Sequence, residues 1–296
     1  MFNSKQINKL AISFIYAIAI IVALILLFLV SNILINGIPE ISWKFIASPS
    51  KTFEAGGGIS VQLFNTIYLL ILSMIISIPI ALGAAIYLNE YAPKNDFISV
   101  LKTAIEVLSS LPSIVVGLFG FMFFVLKFNF GFSILSGSIA LTFFNLPLLT
   151  RSIENSLAAI PNLQREAGAA LGISRFETVI HVILPAALPS IITGIVLASG
   201  RVLGEAAALI FTAGQSSPNL DWLNLNPFSP HSPINPMRPA ETLAVHIWKI
   251  NSEATIPDAT KISAGSSAVL LILVFIFNFL ARYLGNKIYK KMTAGK

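Results

Sequence analysis

Two residues that could do chemistry are charged and lie where charge is expensive. Arg201 and Glu205 fall in ASGRVLGEAAALIF, inside an apolar run from about 187 to 213. On one continuous helix, a spacing of four puts both side chains on the same face. At 1.5 Å per residue they lie roughly 20 Å from the start of the run, near the middle of a bilayer. An ion there costs about 2.5–3.5 kcal/mol, so each must meet the other, a partner helix or water. Gly200 and Gly204 would let another helix, or a substrate, approach the backbone closely. Two readings stay open. One is a mutually neutralised pair that only fixes helix packing. The other is a transient site where Arg201 takes an anion, while Glu205 holds Arg201 in place and prevents tight trapping. A guanidinium suits phosphate or sulfate oxygens, which it contacts bidentately.

The second stretch with positional meaning is Glu166–Pro185, EAGAALGISRFETVIHVILP, the one long amphipathic run in the chain. It reads as a helix, a break and a second helix. Pro161 suits a first helical position, and Leu163, Ala167, Ala170 and Leu171 recur at helical spacing. Gly172 stands where a C-terminal cap needs a left-handed residue. Ser174 with Glu177 three places on forms a capping box that restarts the helix. Pro185 marks the entry into the next apolar segment. Gly168 costs the first helix on the order of 1 kcal/mol relative to alanine. A helical hairpin lying flat on the membrane surface is the plainer alternative.

Other chemistries find no support in the spacing. His181, His231 and His246 are scattered and form no HExxH or similar ligand pattern. His181 reads as an interfacial side chain and His246 as a packed or solvated one. No GxxxxGK[ST] occurs, so the chain lacks a P-loop, and Gly56 to Gly58 make a turn rather than a phosphate cradle. The absence of cysteine removes disulfides, thiolate metal sites and cysteine nucleophiles. A membrane-embedded enzyme would need clustered acids, histidines or an activated serine. A secondary transporter using Glu205 as a proton relay would usually show paired broken helices in two halves, and would need no amphipathic knob.

The elements that must position these residues follow from composition. Of 296 residues, 55% are hydrophobic, only 11% are charged and 22 are Phe, with a mean hydropathy of +0.82. No ordinary water-soluble domain of this size hides so much apolar surface with so few charges. The expectation is an all-α integral membrane protein with about six transmembrane helices. The spans run from about 10 to 35, 61 to 88, 104 to 126, 132 to 150, 187 to 213 and 263 to 283. The first is too long for a secretory signal and lacks a convincing cleavage site, so it is read as uncleaved. Residues 1–60 comprise that span and an external segment in which Trp43 is placed to anchor the interface. Residues 61–285 form the core, with the amphipathic loop 151–184 and an external Pro-rich loop 214–262 whose ETLAVHIWKI reads as a short helix or re-entrant piece. Residues 286–296 are a basic tail.

With the N-terminus inside, twelve Lys and Arg, including Lys287, Lys290, Lys291 and Lys296, fall in internal segments and six in external ones. That asymmetry obeys the positive-inside rule, so both termini are cytoplasmic. The net charge of +6 thus has a topological cause, and the expected surroundings are membrane lipid, with no nucleic acid. The same orientation puts Glu166–Pro185 in the cytoplasm.

The pattern of Glu166, Ala167, Gly168, Gly172, Val182, Leu184 and Pro185 resembles the EAA loop of ABC importer permeases, with Gly168 and Val182 as mild departures. Gln62–Ala92, LPSIVVGLFG at 111–120, Leu146–Gly172, and RVLGE within Ala198–Gly214 resemble the phosphate-specific members. The likeness runs from about Gln62 to the C-terminus and is closer to the PstA-type subunit than to its PstC-type sister. It implies a type I ABC importer permease fold in the cell membrane, forming half of a phosphate pathway. The implied partners are a sister permease, two cytoplasmic ATPase subunits and an external phosphate-binding protein. ATP and magnesium would be bound by the ATPase, leaving no cofactor and no catalytic residue in this chain. Arg201 and Glu205 would serve translocation. Glu166, Ala167, Gly168, Gly172, Leu184 and Pro185 would serve coupling to the ATPase. Molybdate, sulfate or phosphonate is the alternative cargo.

Overall fold

The structure is a computed structural model that describes residues 4–51, 54–253 and 256–293. Lys296, counted above among the internal charges, lies outside the described residues. Among those described, every regular element is helical. Among the described residues five helices are long and apolar enough to cross a membrane, or six when one bent pair is counted as a single span. The five are built on α1 (Ser4–Gly37), α3 (Ser60–Ile86), α6 (Ile134–Ala158), α9 (Leu184–Leu203) and α12 (Ala259–Thr293). Short helices fill the turns between them: α2 (Trp43–Ala47), α7 (Asn162–Ala170), α8 (Arg175–Thr178), α10 (Ala207–Thr212) and α11 (Leu243–Glu253). α11 is the helix expected in ETLAVHIWKI.

The bent pair corrects the third span. Instead of one helix from 104 to 126, α4 (Asp96–Ser109) and α5 (Ser113–Gly120, continued as a π-turn to Lys127) meet at 96°. Pro112 explains the break, because its ring pushes Leu111 out of the helical region. α4 has its own start signal: the Asn95 side chain accepts from Ile98 N–H at 3.0 Å. Charges fasten α4 to α6. Lys102 Nζ lies 2.5 Å from Glu154 Oε1, and Arg151 bridges Glu154 at 3.3 Å and Glu106 at 3.5 Å.

α3 and α6 form the centre. Leu69, Leu70 and Met74 of α3 pack with Ile134 and Leu141 of α6, Val202 and Leu203 of α9, and Leu209 of α10. A second cluster, nearer the amphipathic loop, joins Ala81, Ala85, Leu149, Ile153, Leu157, Ile183 and Ala187. α5 lies against α10 at backbone contact distance. A Cβ on Gly117 would sit 2.7 Å from Ala208 Cα, and one on Gly120 would sit 2.7 Å from Thr212 Cγ2. Small residues at the interface are what allow that approach. α1, by contrast, is exposed from Asn8 to Leu29 and meets α12 at its far end, where Gly37 faces Ala264 and Ala268.

The Pro-rich loop is ordered by one buried cation. Arg238 Nη2 donates to Asn65 Oδ1 at 2.8 Å and to Pro233 O at 2.9 Å, and Nη1 donates to Pro239 O at 3.3 Å. Burial lowers this guanidinium to about 10, so it stays charged at neutral pH. Carbonyls of the same loop accept from the first N–H groups of α6, Ile134 N to Arg238 O and Leu135 N to Pro236 O.

Candidate translocation and coupling sites

α9 stops at Leu203, with Gly204 as its C-cap, and α10 starts at Ala207. Arg201 and Glu205 therefore do not share a helix face, as one unbroken span would have required. A residue that favours helix ends sits between them. Arg201 lies in the last turn of α9, where unpaired carbonyls make the helix end negative. Glu205 is buried, and its Oε1 accepts from Ala208 N–H at 3.1 Å, closing the first turn of α10. Each charge is met by a helix end instead of by the other, and no ion pair joins them among the described residues. The Arg201 guanidinium carbon stands 3.8 Å from the centroid of Phe144. Such a stack contributes roughly 0.5–2 kcal/mol, and the N–H fork makes no hydrogen bond among the described residues. The close approach expected at Gly200 and Gly204 is not made within this chain. A Cβ on Gly200 would meet nothing within 4 Å, and one on Gly204 only Gly200 O at 3.9 Å. That face is open.

The amphipathic loop folds as a two-helix knob. Pro161 is the N-cap of α7, one position earlier than expected. Gly172 has φ +70°, and its N–H and that of Ile173 bond to Ala169 O and Gly168 O. Those are the two bonds of a Schellman cap. The capping box is complete: Ser174 Oγ accepts from Glu177 N–H at 3.2 Å, and Glu177 Oε2 accepts from Ser174 N–H at 3.1 Å. Pro185 stands in the first turn of α9, the next apolar segment, as expected, and α8 runs into it through a π-turn at Val179–Ile183. Proline offers no N–H to the preceding turn, and the wider turn lies just before it. Leu184 and Pro185 are half-buried at the base of the knob. Glu166, Ala167, Leu163, Leu171 and Phe176 are exposed on it.

Gly168 is buried for a specific reason. A Cβ there would stand 2.5 Å from Thr178 Oγ1 and 2.9 Å from Thr178 Cγ2. Gly168→Ala alone is thus expected to lower the thermal stability of the knob, despite alanine's better helix propensity, by about 1–3 kcal/mol of overpacking. Adding Thr178→Ala should restore it. Thermal melts of the purified permease check this, and a Gly168→Ala protein as stable as the parent would refute the clash.

The sequence reading missed what holds the knob. Arg165 donates from Nη2 to Glu90 Oε1 at 2.7 Å and from Nε to Glu90 Oε2 at 3.1 Å. It also donates to Leu157 O and Ile160 O, carbonyls at the end of α6. The neighbouring Tyr91 takes the Arg175 guanidinium over its ring at 5.4 Å. The available signal was Glu90, an acid closing a long apolar run. At the opposite end of the bundle lies a partly enclosed cavity of about 410 Å³, lined by Ser217, Trp222, Glu241, His246 and Lys249 among others. His246 is buried there as a packed side chain, with Nδ1 3.1 Å from Glu241 Oε1. His181 is exposed, with Nδ1 3.1 Å from Glu177 O.

Residues 77–293, a stretch that includes α6 to α10 and the knob, match the family described as the binding-protein-dependent transport system inner membrane component. The chain belongs to that family. It is 51% identical to a probable ABC transporter permease protein, YqgI, of Bacillus subtilis, over 99% of both chains. It is 30% identical to the phosphate transport system permease protein PstA of Haemophilus influenzae, over 94% of this chain and 93% of that one. Among solved structures, a bacterial alginate ABC transporter matches with a TM-score of 0.66 at 12% identity, covering 97% of this chain and 98% of that chain. The MetNI methionine ABC transporter matches at 0.58 and 18% identity, over 78% and 94%. At such identities these structures speak for the fold alone, which is that of the type I importer permeases. The permease is a multi-pass inner-membrane subunit of an ABC importer and not itself an enzyme. It works with an ATPase and a substrate-binding protein.

Proposed function

We propose that this permease carries phosphate, as one half of a pathway completed by a sister permease, and that Arg201 is the transient anion site. The observation that carries the reading is the state of Arg201: stacked on Phe144, at the negative end of α9, with no carboxylate on its fork among the described residues. A guanidinium so held can take two oxyanion oxygens bidentately. Full-length similarity to PstA permeases supports phosphate as the cargo. The open face at Gly200 and Gly204 supports a path beside Arg201. Glu205 shapes the break that presents Arg201 and does not clamp it.

Two ATPase subunits, binding ATP and magnesium, close on the knob formed by Arg165–Pro185. Leu163, Leu171 and Phe176 give that contact its apolar area, Glu166 an exposed charge, and Gly172 the turn between helices. Closure tilts the crossings from α5 to α9 outward-open, phosphate from the binding protein passes Arg201, and hydrolysis resets the inward-open state.

The test is uptake of radiolabelled phosphate into vesicles holding the full complex, with ATP inside and binding protein outside. Uptake that needs ATP, resists a protonophore and is not competed by molybdate or sulfate is the expected result. Transport of another oxyanion in preference would keep the permease and discard the cargo. Uptake driven by a proton gradient without the ATPase would end the reading.

A further inference from the structure

The cavity at the outer end of the bundle is lined by side chains whose hydrogen-bonding capacity the chain itself does not use up. Its wall is assembled from the segment after α2, the start of α3, the Pro-rich loop and α11. Two hydroxyls on that wall are aimed by the bonds they accept. Ser217 Oγ accepts from Asn65 Nδ2 at 2.9 Å and from Glu241 N–H at 3.0 Å, which occupies both of its lone pairs. Ser50 Oγ accepts from Gln62 Nε2 at 2.7 Å. Neither hydroxyl donates to another group among the described residues, so each O–H is left for a ligand. Lys249 Nζ donates to Gln215 O at 2.9 Å and lies 3.9 Å from Glu241 Oε1. An ammonium carries three N–H groups, so at least one remains. Lys51, paired with Glu54 at 2.8 Å, adds a second ammonium.

Glu241 is the one acid among the described lining residues, and its oxygens are already engaged. Oε2 accepts from Gln62 at 2.7 Å, and Oε1 faces His246 Nδ1 at 3.1 Å. A carboxylate only accepts, so Nδ1 carries the proton of the neutral imidazole and Nε2 presents a lone pair. His246 is 4% exposed, and its Nε2 has no partner among the described residues. A buried polar atom in that state is costly until something bonds to it. His246 and Lys249 are three residues apart on α11 and share a face. The cavity therefore offers two ammonium groups and two hydroxyls as donors, with one acceptor beside them.

We propose that this cavity binds a small polyol phosphate at the outer face, with Lys249, Ser217 and Ser50 on the phosphate and His246 Nε2 on a hydroxyl of the organic body. A phosphate head matches the donors, since it carries close to two negative charges and three acceptor oxygens. A bare oxyanion would leave most of the space unfilled, because about 410 Å³ lies in the range of sites for small organic ligands. Trp222, held perpendicular to the Phe64 ring with centroids 5.2 Å apart, and Ile250 give the wall an apolar side for the carbon chain. A ligand so held fastens the Pro-rich loop to α3 and α11. Arg201 is not in the wall, so the site is independent of the cargo and of the translocation reading.

The experiment measures equilibrium binding of radiolabelled glycerol 3-phosphate to the full complex in nanodiscs, together with its thermal unfolding. Saturable binding is expected, with a rise in melting temperature that follows ligand concentration. Glycerol should not compete, and inorganic phosphate should compete about tenfold more weakly than the ester, the worth of one or two hydrogen bonds. Lys249→Met should weaken binding by about tenfold, as loss of a charge-assisted bond does, and Lys249→Arg should keep most of it. Ser50→Ala leaves Gln62 its bond to Glu241 and should weaken binding by about threefold. Arg201→Gln should bind like the parent. No saturable binding, or parental affinity in Ser50→Ala or in a folded Lys249→Met protein, would overturn the site. Equal competition by inorganic phosphate would remove the organic body from the proposal, and binding lost in Arg201→Gln would move the ligand out of this cavity; either result overturns it.

Discussion

Gly172→Val is expected to insert into the membrane normally and to abolish ATP-driven uptake. The argument is conformational, because a Cβ at Gly172 would meet nothing within 4 Å. What the substitution opposes is φ +70°, which a β-branched residue resists by roughly 1–3 kcal/mol. The chain relieves that cost by leaving the left-handed region, which gives up the Schellman bonds of Gly172 and Ile173 and swings α7 relative to α8. A knob with a new angle no longer fits the surface it was shaped for, whatever its remaining stability. The series is graded: Asn tolerates the left-handed region and should retain most uptake, Ala less and Val least. Uptake assays, paired with co-purification of the ATPase, check the order. A Val variant with parental uptake would take the turn out of coupling.

The second large effect is at Arg201. Arg201→Gln should reduce uptake to the background of vesicles lacking ATP, with the complex still assembled. Arg201→Lys should recover only a part, since an ammonium keeps the charge but has neither the planar fork nor the stacking face that Phe144 receives. Glu205→Gln is the informative contrast. A glutamine oxygen can still accept from Ala208 N–H, so the break and α10 survive, and uptake should stay within a few-fold of the parent. If Glu205→Gln were as damaging as Arg201→Gln, the two residues would be working as a charge pair after all, in another state or across the dimer.

Much of the scaffold was legible because its signals are local. The capping box at Ser174 and Glu177 and the left-handed Gly172 are properties of a few adjacent residues. They came out as read. The long apolar runs located the crossings for the same reason that a bilayer selects them. The two breaks were harder, because hydropathy is blind to direction. Residues 104–126 are as apolar bent as straight, and 187–213 are as apolar interrupted as whole. Pro112 and Gly204 carried the information, and either could have been given more weight than the run around it. Treating Arg201 and Glu205 as an i, i+4 pair followed from assuming an unbroken helix. Glu90 stood out as an acid closing an apolar run, but neither its partner nor that of Asn65 could be read. Glu90 with Arg165, and Asn65 with Arg238, are 75 and 173 residues apart, and only the folded chain brings them together.

The bent pair of helices has a consequence for its response to salt. α4 is held to α6 by charge, and its two anchors differ in exposure. Glu154 is almost wholly buried against Lys102 and Arg151, whereas Glu106 meets Arg151 in the open. The Debye length is about 10 Å at 0.1 M salt and 3 Å at 1 M, and buried pairs feel that change far less. Raising salt from 0.1 M to 1 M should therefore weaken the contact between Glu106 and Arg151 more than the pairs that Glu154 makes.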